Sequence, residues 1–493
     1  MSLSMAYTTA VGVAVGVVAL GWWTQLPADF VNARALDRPS AQVRRLAVSE
    51  GLTELIAVTE SDGQGRTLVT NGHAMSATTR LSQRYMRALA HLPLLAMDAP
   101  KTALVIGFGV GNTTHAVTLH PSIARVDIAD LSRGVLSHAG YFTDANHGVL
   151  SDPRVSVYLN DGRQHLQMQA DGTYDLITLE PPPIAFAGVS ALYSEEFYAL
   201  ARSRLTPRGY LSQWLPAYQV PTDATLAMVR AFVDVFPQAV LVSGAEADLI
   251  LVGTRDTSVA VDPGQLLARL NASPMVRADL ARLDLGTPRE IVGSFLGSAQ
   301  TMAQATRDVA AVADDRPVLE YSVRSALNLG EAVPAALVDL SAMGEWCPAC
   351  FADGVPVPAV AGLDLYTALL DLAYQATPEA LARTRTLPNA AERTVAGSAY
   401  LGAVVPESAD LHNLLGISLA SRGAMDQAID EFRLALAVEP GSAATLWHLG
   451  VALESRGQRD EAFALLRKSI ELDPGNQDAR NDLAALSGTS AEP

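Results

Sequence analysis

Short apolar segments alternate with helix-like stretches over the middle of the chain, from Thr102 to about Gly253. Apolar runs of four residues bounded by turn residues are typical of buried strands, and an apolar period near 3.6 indicates the helices between them. This alternation predicts an open, mainly parallel α/β sheet. The predicted strands are 103–106, 126–129, 155–158, 176–179, 209–212, 239–242 and 249–252, and the clearest helices are 195–205 and 223–236.

Different patterns flank this region on both sides. Residues 47–80 alternate as strands do, and the Asp-Gly-Gln-Gly sequence at 62–65 has turn composition, which predicts a small antiparallel sheet. A helix is predicted over 81–97. Residues 258–345 have a helical, Ala-rich pattern that is interrupted by Asp314-Asp315-Arg316-Pro317, and residues 356–408 give a looser helical pattern.

The C-terminal region contains a repeat of 34 residues. Four features recur at this spacing: Leu415-Gly416 as Leu449-Gly450, Arg422-Gly423 as Arg456-Gly457, Ala428 as Ala462, and Pro440 as Pro474. The period and the small residues at the expected helix crossings predict two tetratricopeptide repeats, and a last helix over 477–486 would cover the exposed apolar face. We therefore expect a protein partner that binds through these repeats.

The N-terminus carries an uncharged apolar run from Ala6 to Leu26. Such a run is long enough to cross a bilayer, and Trp22 and Trp23 suit the membrane interface. Because the first arginines follow the run, we expect a membrane helix with the C-terminal bulk of the chain in the cytoplasm; a signal peptide and a buried soluble helix are the alternatives. Gly12 and Gly16 would let two such helices approach closely, which leaves a homodimer open.

Composition narrows the functional classes. The 493 residues are 49% hydrophobic and 18% charged, so the chain can bury sizeable cores, and a net charge of −17 argues against nucleic acid as a partner. The two cysteines lie in Trp346-Cys347-Pro348-Ala349-Cys350. A redox pair, half of a zinc site and a structural thiol pair or local disulfide all remain open for them.

A glycine-rich turn follows the first strand of the α/β region. The strand 103–106 runs into Gly107-Phe108-Gly109-Val110-Gly111-Asn112, which a helix follows. Gly107, Gly109 and Gly111 let the backbone approach a ligand closely, and the helix N-terminus offers N–H groups to an anionic end.

Acidic residues follow the next three strands at their carboxyl ends. Asp130 closes the second strand, where an acid can accept hydrogen bonds from both ribose hydroxyls. The third strand is followed by Asn160-Asp161-Gly162, where a carboxamide or a carboxylate can accept a hydrogen bond from an adenine amino group. Glu180 closes the fourth strand and precedes three prolines. Because ligands of open α/β sheets bind beyond the carboxyl ends of strands, these residues predict an adenosyl-cofactor site. Binding of NAD fits less well, since Asn112 stands where its fingerprint has the last glycine.

Several longer motifs resemble the spermidine synthase family, especially its membrane-fused bacterial branch. They are Asp152-Pro153-Arg154-Val155, Tyr174-Asp175-Leu176-Ile177, Leu192-Tyr193-Ser194-Glu195-Glu196-Phe197-Tyr198, the segment 213–219 and the segment 314–321. In that branch a synthase-like domain follows hydrophobic spans, so the uncharged start fits the last such span or a lone anchor.

The resemblance implies a class I methyltransferase-like (Rossmann-like) core with a small N-terminal β-domain, and an enzyme of polyamine biosynthesis. The family moves the aminopropyl group of decarboxylated S-adenosylmethionine to putrescine, and no metal is expected. By position, the three glycines approach the methionine-derived arm, Asp130 holds the ribose, and Asp161 with Gly162 holds the adenine. Glu180 matches the amine-deprotonating Asp of the family, and Tyr85 matches its helix Tyr.

The chain also departs from the family pattern. Val110 replaces an acid of the glycine loop, Glu180 replaces Asp, prolines replace the second acid of a D-x-x-D stretch, and Met86 and Arg87 replace His and Glu. Because a diamine needs compensating carboxylates, other reactions of S-adenosylmethionine stay open: intramolecular cleavage to methylthioadenosine and homoserine lactone, or methyl transfer. A non-enzymatic adaptor with a silent cofactor-binding core is a further alternative. Asp314, Asp315 and Glu320 could replace the missing acids or form a salt-bridged cluster with Arg316.

These patterns together predict six segments and an α/β fold class. They are a transmembrane helix over 1–30, a small β-domain with its linking helix over 40–97, the cofactor-binding core over 98–256, a helical extension over 257–345, a Cys-x-x-Cys segment and linker over 346–408, and tetratricopeptide repeats over 409–488.

Overall fold

The computed structural model describes residues 3–23, 25, 43–322, 333–350 and 409–487. Within these ranges it leaves out positions 52–53, 62, 64, 185, 246–247, 284, 422 and 424.

A small antiparallel sheet precedes the core, as predicted. Its strands follow chain order and are β1 (Val43–Glu50), β2 (Leu55–Ser61), β3 (Gly65–Thr70) and β4 (His73–Ala77). Asn71 and Gly72 connect β3 to β4, both with positive φ (51° and 84°). Two successive residues of this kind form the tight turn whose twist matches a hairpin, so the local sequence determines this connection.

The core is an eight-stranded sheet in the order β12-β10-β11-β9-β8-β5-β6-β7. The strands are β5 (Thr102–Ile106), β6 (Arg125–Asp130), β7 (Val155–Leu159), β8 (Tyr174–Leu179), β9 (Leu205–Leu215), β10 (Ala239–Ala245), β11 (Asp248–Thr254) and β12 (Phe295–Ser298). Strands β5 to β9 pair in parallel, whereas β9 to β12 pair antiparallel. All seven predicted core strands are present.

Strand β12 corrects the prediction that residues 258–345 are helical. It pairs with β10, with Val240 opposite Ser298 and Leu241 opposite Gly297. A four-residue buried strand is too short to show an alternating pattern, so the surrounding Ala-rich sequence concealed it.

The helices connect and cover these sheets. They are α1 (Leu3–Trp23), α2 (Arg80–Ala96), α3 (Asn112–Thr118), α4 (Arg133–Ser137), α5 (Thr143–Asn146), α6 (Gly162–Gln167), α7 (Glu195–Arg204), α8 (Thr222–Val235), α9 (Pro263–Ala272), α10 (Pro274–Ala281), α11 (Pro288–Gly293), α12 (Ala299–Ala305), α13 (Val318–Ser322), α14 (Met343–Trp346), α15 (Ala409–Ser421), α16 (Met425–Val438), α17 (Ala443–Ser455), α18 (Arg459–Leu472) and α19 (Gln477–Ser487). The helices predicted over 81–97, 195–205 and 223–236 are α2, α7 and α8.

Helix α2 is held in a fixed register on the core sheet. Thr79 caps its first turn by accepting a hydrogen bond from the Ser82 amide. In its middle, the carbonyl of Leu89 accepts from Ser212 Oγ (2.6 Å), and Ser212 donates alternatively to Thr178 Oγ1 (2.9 Å). Because the strands β8 and β9 carry these hydroxyls, the rotation of α2 about its axis is determined by the sheet.

The predicted N-terminal helix is present as α1, with exposed side chains described from Val11 to Trp23. Among the residues that the structure describes, none of the helices is both long and apolar enough to span a bilayer. The structure therefore does not support the predicted transmembrane helix.

A buried polar cluster ties the helical extension to α2. The carboxylate of Asp279 on α10 accepts from Arg87 Nη1 (2.9 Å) and contacts His91 Nε2 (2.9 Å), both on α2. His91 in turn contacts His120 through Nδ1 and Nε2 (2.9 Å). Burial lowers the pKa of His91. Burial alone would raise the pKa of Asp279, but the hydrogen bond from His91 and the charges of Arg87 and Arg282 hold it far below its usual range. His91 is thus a hydrogen-bonded core residue.

Cys347 and Cys350 form a disulfide and are both fully buried. This outcome matches the third of the three interpretations of the Cys-x-x-Cys motif. The indole of Trp346 stacks on Phe295 of β12 (5.8 Å between ring centroids), so the disulfide turn packs against the edge of the core sheet. The remainder of the predicted 346–408 segment lies outside the described residues.

The C-terminal helices α15 to α19 agree with the repeat seen in the sequence. Gly416 of α15 lies against Phe432 of α16, and 34 positions later Gly450 of α17 lies against Leu466 of α18. A side chain at either glycine would collide with the partner helix, which explains the small residues at both crossings. The assignment as tetratricopeptide repeats stays a prediction.

The first of these helix pairs contacts the core through buried charges. Arg289 of α11 forms an ion pair with Glu431 of α16, and His412 of α15 contacts the same carboxylate (2.9 Å). The neighbouring cation and imidazole lower the pKa of Glu431 against the effect of its burial.

Candidate active site

The predicted ligand residues come together at one edge of the core sheet. The glycine loop follows β5, Asp130 ends β6, Asp161 follows β7 and Glu180 follows β8. Since these strands are neighbours in the order β8-β5-β6-β7 and run in parallel, their carboxyl ends meet at the same edge.

The glycine loop adopts a backbone conformation that other residues rarely take. The φ angles of Gly107, Gly109 and Gly111 are +84°, +54° and +89°. A Cβ atom on Gly107 would lie 3.1 Å from the carbonyl oxygen of Glu180, and one on Gly109 would lie 2.8 Å from Ser76 Oγ. The loop is thus confined between the end of β8 and the small β-domain, and it needs glycine for both reasons.

Asp130 holds the glycine loop to the end of β6. Its Oδ2 accepts from the Phe108 amide and its Oδ1 from the Ser132 amide, both at 2.7 Å. Burial raises the pKa of Asp130, and the two amide hydrogen bonds oppose this effect. Ser132 also bonds Glu54 of the β-domain. Each carboxylate oxygen can accept a second hydrogen bond, so the predicted role at a ribose is compatible with this arrangement.

Asp161 and Gly162 have structural roles at the end of β7. Asp161 Oδ1 accepts from the Gln164 amide (2.9 Å) and so caps helix α6. A Cβ atom on Gly162 would lie 2.3 Å from Ile106 Cγ2, so the glycine lets α6 pack against the end of β5. The adenine contact of these two residues stays a prediction.

Glu180 and Tyr85 form a direct pair. Tyr85 Oη, on α2, donates to Glu180 Oε1 at 2.6 Å. Burial raises the pKa of Glu180 to about 8, the bond from Tyr85 lowers it and the charge of Asp248 raises it further. Burial also raises the pKa of Tyr85, which keeps that phenol protonated and donating. A carboxyl group with such a pKa is mostly protonated at pH 7 and becomes able to accept a proton from a substrate as the pH rises through about 8.

Sequence reasoning missed three residues that adjoin this pair. The Trp214 ring stacks on Tyr85 with 6.0 Å between centroids, and Tyr218 meets Trp214 edge-on at 6.3 Å. Trp214 Nε1 donates to Asp248 Oδ1 at 2.9 Å. Trp214 and Tyr218 lie within a motif noted for its resemblance, but no role was assigned to them. The sequence carried one signal for Asp248. This residue begins the apolar strand β11, which pairs antiparallel with β9 and starts at the edge where β9 ends.

The acids considered as replacements for the missing family carboxylates have other partners. Asp314 forms a salt bridge with Arg163 of α6, and Glu320 Oε1 accepts from the Gly188 amide (2.9 Å). Arg316 instead donates to the carbonyl of Ala311. The prediction that Asp314 forms a salt bridge with Arg316 is therefore wrong. Within the described ranges, no group of three or more His, Cys, Asp or Glu side chains could hold a metal ion.

The central region of the chain is similar to a known protein family. Residues 82–239 match the family model described as the spermine/spermidine synthase domain. The middle third of the chain is therefore similar to that domain. This range includes Tyr85, the glycine loop, Asp130, Asp161 and Glu180, and it ends before Asp248.

Curated relatives carry aminopropyltransferase names. The chain is 31% identical over 250 residues to polyamine aminopropyltransferase 2 of Streptomyces coelicolor, covering 50% of this chain and 42% of that protein. It is 30% identical over 187 residues to spermidine synthase 2 of Arabidopsis thaliana, covering 38% of this chain and 54% of that one. The chain thus spans about half the length of the curated relatives it matches.

Among solved structures, spermidine synthase from Thermotoga maritima is similar, with a TM-score of 0.39 and 21% identity over 43% of this chain and 73% of that one. A probable spermidine synthase from Corynebacterium glutamicum gives a TM-score of 0.39 and 15% identity, covering 54% of this chain and 96% of that one.

Proposed function

We propose that this protein transfers an aminopropyl group from decarboxylated S-adenosylmethionine to an amine and releases methylthioadenosine. The observation that carries the proposal is the Tyr85–Glu180 pair, which lies beside a glycine loop at the edge where five parallel strands end. The spermidine synthase family domain in residues 82–239 supports the same reaction class.

The residues at this edge suit an adenosyl donor. Gly107 and Gly109 pack against the Glu180 carbonyl and Ser76, which holds the glycine loop at the carboxyl edge of the sheet, where ligands of open α/β sheets bind. In this proposal the glycine loop lies along the aminopropyl arm, Asp130 accepts from the ribose and Asp161 accepts from the adenine. The donor brings a carbon bound to positively charged sulfur, which leaves as a neutral thioether.

Glu180 has the position and the protonation behaviour of the base. An amine attacks only in its neutral form, and alkylammonium groups have a pKa near that of lysine, about 10.4. Glu180, with a pKa of about 8, can take the proton as the carbon–nitrogen bond forms. Tyr85 keeps the accepting oxygen in place through its 2.6 Å hydrogen bond. Alignment of the nitrogen with the carbon contributes the rest of the rate.

Mass spectrometry of the products tests the reaction class. The full chain is incubated with decarboxylated or intact S-adenosylmethionine, each with and without putrescine. We expect methylthioadenosine and an aminopropylated amine only from the decarboxylated donor together with the amine. Homoserine lactone without an amine would indicate intramolecular cleavage, S-adenosylhomocysteine would indicate methyl transfer, and no product would favour an adaptor; each of these results would overturn the proposal.

Gly107→Ala tests the binding site for the donor. We expect methylthioadenosine to bind about five-fold to a hundred-fold more weakly. The left-handed backbone costs alanine about 1–3 kcal/mol and the methyl group faces the Glu180 carbonyl, so the free loop relieves the strain by leaving the conformation that binds the ligand. Isothermal calorimetry measures this change. Gly148→Ala is the matched control, since Gly148 has a φ of +67° but open space around it. Equal binding by the two variants would contradict the assignment of the loop.

A further inference from the structure

Asn146 is a buried residue whose side-chain amide contacts the glycine loop. It ends helix α5, and 1% of its surface is exposed. Its Nδ2 donates to the carbonyl oxygens of Val110 and Ala139, both at 3.0 Å, and its Oδ1 accepts from the Gly148 amide at 2.9 Å. Both N–H donors of the side chain are therefore in use, and one of them fixes a carbonyl group of the glycine loop.

The backbone of Val110, in the middle of the loop, is held on both sides. Its N–H donates to Ser76 Oγ of β4 at 3.3 Å, while its carbonyl accepts from Asn146. Asn146 also packs against the next glycine, since a Cβ atom on Gly111 would lie 2.8 Å from Asn146 Cβ. The Val110 side chain has no polar group, so neighbouring side chains fix the orientation of this backbone through the two hydrogen bonds.

Arg87 of α2 fixes the segment that carries Asn146. Its Nη2 donates to the Ala145 carbonyl at 2.6 Å, and its Nη1 donates to the two carboxylate oxygens of Asp279 at 2.9 and 3.0 Å. Because a guanidinium presents its N–H groups in a rigid planar fork, the pair with Asp279 determines where the other N–H groups point. Arg87 thus connects α10 to the residue that precedes Asn146.

This support comes partly from outside the matched domain. The family model covers residues 82–239, whereas Asp279 lies in the helical extension. Arg87 stands where the family pattern has Glu. A carboxylate there could neither donate to the Ala145 carbonyl nor form an ion pair with Asp279, because an ionised carboxylate only accepts hydrogen bonds. The arrangement therefore needs both Arg87 and the acid of the extension.

We propose that Asn146 is a positioning residue for donor binding and that Arg87 acts through it. This inference rests on the proposed function, in which the glycine loop lies along the aminopropyl arm of the donor. Asn146 keeps the loop in the conformation that accepts the donor, and the ion pair of Arg87 with Asp279 keeps Asn146 in place. Both side chains bond to protein groups and are buried, so they act on the affinity for the donor and not on the chemical step.

Asn146→Ala tests this role through the binding of decarboxylated S-adenosylmethionine in the absence of an amine. We expect the Kd from isothermal calorimetry to rise about five-fold to a hundred-fold, the range set by a buried carbonyl that loses its donor. The free loop then favours conformations in which water reaches the Val110 carbonyl, and only molecules with the loop in place bind the donor. The KM for the donor should rise by a similar factor, while kcat and the KM for putrescine change much less.

Arg87→Lys provides a milder second variant. Lysine keeps the positive charge beside Asp279, but its single ammonium group cannot reproduce the fork that also reaches the Ala145 carbonyl. We expect the Kd for the donor to rise, by less than for Asn146→Ala. Because Arg87 acts through Asn146, the rise in the double variant should be smaller than the product of the two single effects.

Two controls separate positioning from a general loss of structure. A fraction of misfolded protein lowers kcat and the calorimetric stoichiometry, but it leaves the Kd and KM of the folded molecules unchanged. Asn71→Gly removes another asparagine that accepts from a backbone amide, that of Leu55 in the β-domain. Glycine tolerates the positive φ of 51° at this position, so the variant should bind the donor as the wild type does.

Each negative result has one meaning. If the wild type binds the donor and Asn146→Ala binds it with the same Kd, the positioning role is overturned and the proposed function stands. If Asn146→Ala does not fold, Arg87→Lys decides: a raised Kd supports the role, and an unchanged Kd overturns it. If the wild type itself does not bind decarboxylated S-adenosylmethionine, the proposed function fails and the positioning role fails with it.

Discussion

Glu180→Gln reduces turnover of decarboxylated S-adenosylmethionine with putrescine by about 10²–10⁴-fold, the range that a positioned general base contributes, and leaves methylthioadenosine binding unchanged. Glutamine keeps the size of the side chain and still accepts from Tyr85, but it cannot take a proton. Steady-state kinetics and calorimetry on the same preparation measure the two effects.

The pH profile adds a second measurement to this prediction. Because the base must be ionised, kcat/KM of the wild type rises with pH through about 8, the pKa of Glu180 in the free protein. A bound cation favours the carboxylate, so the corresponding rise in kcat lies at lower pH. The Gln variant loses the rise near pH 8 and keeps the ionisation of the amine itself, near pH 10.

Glu195→Gln is the matched control for Glu180→Gln. Glu195 lies exposed in the first turn of α7, within the same domain, and its substitution should leave kcat and KM unchanged. Turnover by Glu180→Gln within a factor of three of the wild type would remove Glu180 as the base.

Asp279→Ala destabilises the protein by about 3–5 kcal/mol, the cost of leaving a buried charge without its partner. Arg87 has 1% of its side chain exposed and depends on Asp279 for its counter-charge, and His91 loses the acceptor of its Nε2 proton. The lost contacts join α10 to α2, so the helical extension and the helix that carries Tyr85 should loosen together. Denaturant unfolding followed by circular dichroism measures the change.

Asp234→Ala provides the comparison for Asp279→Ala. Its carboxylate pairs with Arg230 one helical turn away, and both side chains are about a quarter exposed. Such a pair contributes roughly 0.2–1 kcal/mol, so the variant should unfold almost as the wild type does. A cost below about 1 kcal/mol for Asp279→Ala would mean that Arg87 finds other compensation in the folded protein.

The central strands and the glycine loop could be predicted because their signals are local. Apolar runs of four residues marked β5 to β11, and the three glycines marked a turn whose positive φ angles the structure has. The acids at 130, 161 and 180 could be placed together because parallel strands end at one edge. Asp161 also caps α6, a role that short-range spacing allows just as readily.

Other features depend on contacts between distant segments. Strand β12 exists because residues 295–298 complete the edge beside β10, and four residues alone carry no period. Asp314 was considered as a replacement for a missing family carboxylate, but it accepts a hydrogen bond from Arg163, which lies 151 positions earlier in the sequence.

By itself, the sequence determined the α/β core, the glycine loop and three acids at neighbouring strand ends, since periodicity and turn chemistry act over a few residues. The tertiary structure decided that Tyr85 donates to Glu180 and that Asp248 lies beside them with Trp214. Tyr85 on α2 and Asp248 on β11 are 163 positions apart in the chain. Hydrophobic packing of α2 on the sheet brings them together, and no local pattern carries that information.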